Sequence, residues 1–131
     1  MSKKNVAILH IDDDVHLTEI FNELFASAGY RALAANDPMT GLKLAKKDLP
    51  DLILLDITMP GKDGFEVLEE LKRDKSTKDI PVVMLSTLGS KEYIERAFEL
   101  GALRYIVKSH AAPEEVVADI NEILKESNAD I

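Results

Sequence analysis

The strongest constraint on this chain is a set of short apolar runs that end in polar groups, with helical periodicity between them. Val6-Ala7-Ile8-Leu9-His10-Ile11 ends in Asp12-Asp13-Asp14, and Leu52-Ile53-Leu54-Leu55 ends in Asp56. Pro81-Val82-Val83-Met84-Leu85 ends in Ser86 and Thr87, and Leu103-Arg104-Tyr105-Ile106-Val107 ends in Lys108. Nearly continuous apolar runs of this length are strands covered by helices on both faces, which means a parallel sheet. In an open parallel sheet, ligands bind outside the carboxyl ends of the strands. Carboxylates, a hydroxyl and a lysine delivered to that edge predict a site for a divalent metal and a phosphoryl group.

The periodicity fills in the rest. Residues 5–11 read as a first strand. Leu17, Ile20, Phe21, Leu24, Phe25 and Ala28 are spaced for an amphipathic helix over 14–28, ended by Gly29. Residues 30–35 read as a second strand. Asp37-Pro38 reads as an N-cap with proline at the first helical position, opening a helix to about Lys47. Residues 51–56 form a third strand, and Asp63 with Glu66 resembles a capping box before Phe65, Val67, Leu68 and Leu71. Residues 80–86 form a fourth strand, and Ser90 caps a helix that turns Ile94, Ala97 and Phe98 inward. Residues 103–107 form a fifth strand, and Pro113 opens a last helix with Val116, Val117, Ile120, Ile123 and Leu124 inward. Five βα units with right-handed crossovers give a doubly wound (βα)5 α/β domain. The expected order is the flavodoxin-like 2-1-3-4-5, which makes Asp12, Asp13 and Asp56 neighbours. One domain over 1–127 and a short tail over 128–131 are expected, since 131 residues support one core.

Bulk properties exclude several function classes. A net charge of −8, with basic residues scattered among acids, argues against direct nucleic-acid binding. No run reaches membrane-spanning length, and no signal-peptide apolar region is visible. With no cysteine there is no thiolate metal site, thiol nucleophile or disulfide framework, which fits a cytoplasmic location.

Three clustered carboxylates repel one another and raise each other's pKa. A hard divalent cation relieves this, and Mg2+ takes oxygen ligands. Asp56 then becomes a nucleophile that forms an acyl phosphate, with Lys108 neutralising charge. Taken singly, Asp14 is a helix N-cap, Lys108 a surface lysine and Ser86 a turn residue. Agreement at four strand ends is much harder to reach by chance. His10 reads as a packed core or sheet-edge histidine, and no pair of histidines has metal-site spacing. Leu88-Gly89-Ser90 is expected to be the most mobile loop.

Across essentially its whole length the chain resembles the receiver domain of two-component response regulators, close to the chemotaxis type. The carrying segments are Ile8 to Asp14, Asp51 to Gly64 through Asp56-Ile57-Thr58-Met59-Pro60-Gly61-Lys62, Pro81 to Ser86, and Gly101 to Lys108. The resemblance implies that Asp56 is the phosphoacceptor, charged by a sensor histidine kinase or a histidine phosphotransfer protein. It implies Asp12 and Asp13 as the Mg2+ pair, with the Thr58 backbone carbonyl as a further ligand. Ser86 is then the switch hydroxyl and Lys108 the lysine that pairs with the phosphoryl group. Tyr105 matches the aromatic that turns inward, although on the residues alone it is equally a half-buried strand residue. Output would pass to a protein partner through the face of the fourth helix, fifth strand and fifth helix, and the last two helices could pair two copies on activation. The chain would catalyse only its own phosphorylation and dephosphorylation.

Three positions depart from the family pattern. Thr87 stands where a small residue is usual and is expected to crowd the site. Ser109 stands where a proline in a cis bond is usual. A cis bond before a non-proline costs roughly 2.5–4 kcal/mol, so a trans bond and a shifted lysine are expected. Thr58 lines the path of hydrolytic water and is expected to tune the phosphoryl lifetime.

Other classes fit less well. A haloacid-dehalogenase-type phosphatase wants a second aspartate two residues after the nucleophile, where this chain has Thr58. A flavodoxin-like nucleotide binder wants a hydroxyl- and glycine-rich phosphate loop after the first strand. Here the loop is Asp12-Asp13-Asp14, which would repel a phosphate without a metal. A receiver-like module that binds partners without phosphorylation is the remaining alternative.

Overall fold

A computed structural model describes residues 5–127. The elements alternate as predicted: β1 (Ala7–Ile11), α1 (Val15–Ser27), β2 (Arg31–Ala35), α2 (Pro38–Asp48), β3 (Leu52–Leu55), α3 (Gly64–Arg73), β4 (Val82–Ser86), α4 (Lys91–Glu99), β5 (Arg104–Val107), a short 3-10 turn (Lys108–His110) and α5 (Pro113–Ser127). The strands are all parallel, in the order β2-β1-β3-β4-β5. The expected tail over 128–131 lies outside the described residues.

Strand alternation splits the core in two. Leu9, Ile11, Ile53, Leu55, Val82 and Met84 join Leu42, Ala45, Phe65, Leu68, Leu71 and Ala97 of α2, α3 and α4. Ile8, Leu52, Leu54, Val83 and Leu85 join Phe21, Phe25, Val116, Ile120 and Leu124 of α1 and α5. The sheet is covered on both faces, and the carboxyl ends of its strands carry the polar groups.

Local chemistry fixes the helix starts. Asp14 accepts from the Leu17 N–H and Asp37 from the Thr40 N–H, and Pro38 opens α2. Asp63 and Glu66 form the predicted capping box at α3. Gly29 and Gly101 follow α1 and α4 with positive φ, the conformation glycine adopts at low cost. Two residues expected to face inward do not. Ile20 is 45% exposed and Phe98 47% exposed. Periodicity identifies the apolar stripe of a helix, but α4 meets the body of the protein over a narrower strip than its stripe. Among its residues Ala97 is buried. No described helix is long and apolar enough to cross a membrane.

Candidate functional site

The order β2-β1-β3 sets the ends of β1 and β3 side by side at the switch point of the sheet. Carboxylate oxygens of Asp12, Asp13 and Asp56 come within 4.8 Å of one another. Asp12 and Asp56 are buried and Asp13 is exposed. The backbone beneath them is held by the sheet and its loops. Asp56 N–H donates to the Ile11 carbonyl at 3.0 Å, and Asp12 N–H to the Ala35 carbonyl at 3.0 Å. Gly64 packs on the other side of Asp56. A Cβ at Gly64 would lie 2.2 Å from the Asp56 carbonyl oxygen, so only glycine fits at the first residue of α3.

Lys108 closes the cluster. Its Nζ donates to Asp12 Oδ2 at 2.9 Å and lies 3.7 Å from Asp56 Oδ1. The described residues contain no cis peptide bond, so the Lys108–Ser109 bond is trans, as expected. The lysine is nevertheless not drawn away from the carboxylates. The chain enters a 3-10 turn at Lys108 and the long side chain spans the gap.

Burial and charge together move Asp56, Asp12 and Lys108 in different directions. Burial, reinforced by the Asp12 charge, pushes the Asp56 carboxyl up to about 6. Burial also pushes Asp12 up, but His10, the Asp14 N–H and Lys108 together outweigh it and hold Asp12 below the ordinary value. For Lys108, burial works against the charge and the Asp12 and Asp56 carboxylates overcome it, so its pKa lies above that of an ordinary lysine. The result is one carboxylate held low, one ammonium held high and one carboxyl pushed up to about 6.

Ser86 ends β4 fully buried, and its Oγ accepts from the Leu88 N–H at 3.0 Å. The Tyr105 ring packs against the α2–α4 core, and its hydroxyl donates to the Leu88 carbonyl at 2.5 Å. Ser86 and Tyr105 therefore hold the same residue of the loop after β4 from two sides. Thr87, read above as crowding the site, is exposed to solvent, as is Thr58 in the loop after β3.

One supporting residue escapes a reading of strand ends alone. Asn36 Nδ2 donates to the Asp12 carbonyl at 3.0 Å and to Thr18 Oγ1 at 2.9 Å, tying the acidic loop to α1. The signal was available in the pairing: Ile11 lies opposite Ala35, so the next residue on each strand is Asp12 and Asn36.

The acidic cluster fits a hard divalent cation. It offers oxygen donors only, and its buried carboxyl is destabilised by the neighbouring negative charges. Asp12, Asp13 and Asp56 could hold Mg2+.

A parallel (βα)5 domain with an acidic cluster at its switch point is a flavodoxin-like fold, and comparison with known proteins gives the family. The response regulator receiver domain matches residues 8–121. The chain belongs to that family. It is 38% identical over 121 residues to the DNA-binding dual master transcriptional regulator RpaA of Synechocystis, covering 92% of this chain and 50% of that protein. It is 36% identical over 118 residues to the phosphate regulon transcriptional regulatory protein PhoB of Escherichia coli, covering 90% of this chain and 51% of that one. The chain thus spans about half the length of these relatives. Among solved structures, a CheY-like receiver domain from Methanospirillum hungatei superposes with a TM-score of 0.87 at 25% identity, covering 96% of this chain and 98% of that one. The chemotaxis protein CheY4 of Vibrio cholerae gives 0.83 at 27% identity, with 89% and 97% covered.

Proposed function

We propose that this receiver domain is a phosphorylation-activated switch whose phosphoacceptor is Asp56. The donor is the phosphohistidine of a sensor histidine kinase or of a histidine phosphotransfer protein. An Asp56 carboxylate oxygen attacks the phosphorus, the P–N bond breaks, and its electron pair leaves with the imidazole nitrogen. The product is an acyl phosphate, which water later hydrolyses. Asp12, Asp13, Asp56 and the Thr58 carbonyl would hold Mg2+, which offsets carboxylate repulsion and the charge on the transferring group.

The chain's own residues do the positioning. Lys108 stands 3.7 Å from Asp56 Oδ1, so a small swing of its flexible stem reaches a phosphoryl oxygen. Ser86 accepts from Leu88 N–H and keeps its own proton to donate to a phosphoryl oxygen. Drawing Ser86 inward pulls on Leu88, which Tyr105 also holds. The α4–β5–α5 face then changes and a protein partner, or a second copy, reads it. Any DNA-binding output, as the name of RpaA describes for that protein, would come from outside this domain.

The observation that carries this reading is the placement of Asp56: buried among carboxylates, one lysine away from compensation, with a pKa of about 6. Incubation with acetyl phosphate, with and without Mg2+, followed by intact mass measurement tests it. The wild type gains one phosphoryl group only with Mg2+, and Asp56→Asn gains none. A folded wild type that gains nothing with Mg2+ contradicts the reading.

A further inference from the structure

His10 has no part in the chemistry above, yet it is fully buried two residues before Asp12. Among the described residues neither of its ring nitrogens has a hydrogen-bond partner. Its neighbours on this face of the sheet, Ile8, Leu52 and Leu54, are aliphatic. The ring stands edge-on to Phe21, with centroids 5.0 Å apart. An imidazole here leaves polar nitrogens unsatisfied where an aliphatic residue would not. An imidazole always keeps at least one ring N–H to donate.

The direction of that ring is informative. Nε2 lies 3.8 Å from Asp12 Oδ2, the same oxygen that Lys108 engages at 2.9 Å. The other oxygen, Oδ1, accepts from the Asp14 N–H at 2.9 Å. Asp12 is therefore clamped at both oxygens, and one of its two clamps is the lysine that the phosphoryl group must recruit. When Lys108 turns to Asp56, Asp12 Oδ2 loses its hydrogen-bond donor inside a buried site, where a carboxylate oxygen short of donors is costly. Closing 3.8 Å to hydrogen-bond distance takes less than about 1 Å.

We propose that His10 is a positioning residue that takes over Asp12 Oδ2 from Lys108 when the lysine engages the phosphoryl group. The proposal rests on the phosphoacceptor reading above. A ring N–H suits the place: its hydrogen bond to Oδ2, with that of the Asp14 N–H to Oδ1, would fix the carboxylate plane. Lys108 is then free to move without loosening the acidic pair. Outer hydrogen bonds of this kind orient metal-binding carboxylates, and their loss typically costs about 10–100-fold in metal affinity or activity.

The test uses the whole chain in three forms: wild type, His10→Leu, and His10→Gln, whose amide nitrogen can reach about as far as Nε2. Loading by acetyl phosphate and Mg2+ is followed by intact mass. Ring protons of His10 are followed by nitrogen-correlated NMR, with Mg2+ alone and then with beryllofluoride as a phosphoryl stand-in. The expected result is an exchange-protected, downfield Nε2–H signal that appears with beryllofluoride and not with Mg2+ alone. His10→Leu is expected to melt at or above the wild-type temperature yet load about tenfold more slowly, and His10→Gln to regain most of that loss. A wild type that loads while its His10 ring signal stays unchanged overturns the hand-off alone, and needs no variant to fold. Equal loading by wild type and His10→Leu overturns it too. A wild type that never loads overturns the phosphoacceptor reading and the hand-off with it.

Discussion

Helices α3 and α4 flank the same site and are held in opposite ways. In α3, Gly64, Phe65, Val67, Leu68 and Leu71 are buried, and a reciprocal capping box closes its start. In α4, Ala97 is the residue buried in the core, and the Ser90 cap reaches Tyr93 N at 3.4 Å. What else ties α4 down is lateral: Tyr93 stacks on Phe65 at 5.9 Å and Arg96 lies 4.4 Å from the Phe65 ring centre. The division matches the work. α3 begins on Gly64, which seats the Asp56 backbone, and the proposed phosphoacceptor needs to be held still. α4 follows the Ser86–Leu88 loop, and a segment with few buried contacts opens at low free-energy cost. On the proposed reading, the anchored helix would fix the acceptor and the loosely held one would report on it.

The largest effect expected from breaking this arrangement is at Gly64. Gly64→Ala drives a Cβ to 2.2 Å from a backbone oxygen that cannot rotate away. Destabilisation of about 3 kcal/mol or more is expected in urea unfolding, with loss of acetyl phosphate loading in whatever remains folded. Leu68→Ala, at a fully buried position, should cost about 3 kcal/mol.

Asp56→Asn should act in the other direction. The Asp56 carboxyl has an ordinary pKa of 3.8 and one of about 6 in the fold. Between those values the folded chain keeps a proton that the unfolded chain has lost, so stability falls as pH rises through this window. The variant escapes that loss. Without Mg2+ it should be more stable than wild type by about 2 kcal/mol at pH 7.5, allowing for solvent screening, and indistinguishable below pH 4. Mg2+ should stabilise the wild type and close the gap. The smallest effect is expected at Phe98→Ala, which should change stability by less than about 0.5 kcal/mol because its ring is 47% exposed. A large loss there would mean that α4 is anchored after all.

The sequence showed the site more clearly than it showed the packing around it. The strand ends were legible because runs as short as Leu52–Leu55 leave no doubt where polar groups begin. Asp37 and Asp63 were legible as caps because capping is local chemistry. Ile20 and Phe98 were misplaced because the width of a helix's buried strip depends on what lies across from it. Asn36 and His10 were not seen as neighbours of Asp12 because their relation to it is set by register and by ring orientation. Lys108 reaches Asp12 through a turn that a departure from the family pattern at Ser109 did not foretell.

The most direct test of the central claim is to locate the phosphoryl group. The chain is incubated with acetyl phosphate and Mg2+, reduced with borohydride, which converts an acyl phosphate to the alcohol, and mapped by peptide mass spectrometry. The account predicts the reduced residue at position 56 and at no other carboxylate, and none when Mg2+ is withheld. Reduction at Asp12 or Asp13, or none in a folded chain supplied with Mg2+, would contradict it.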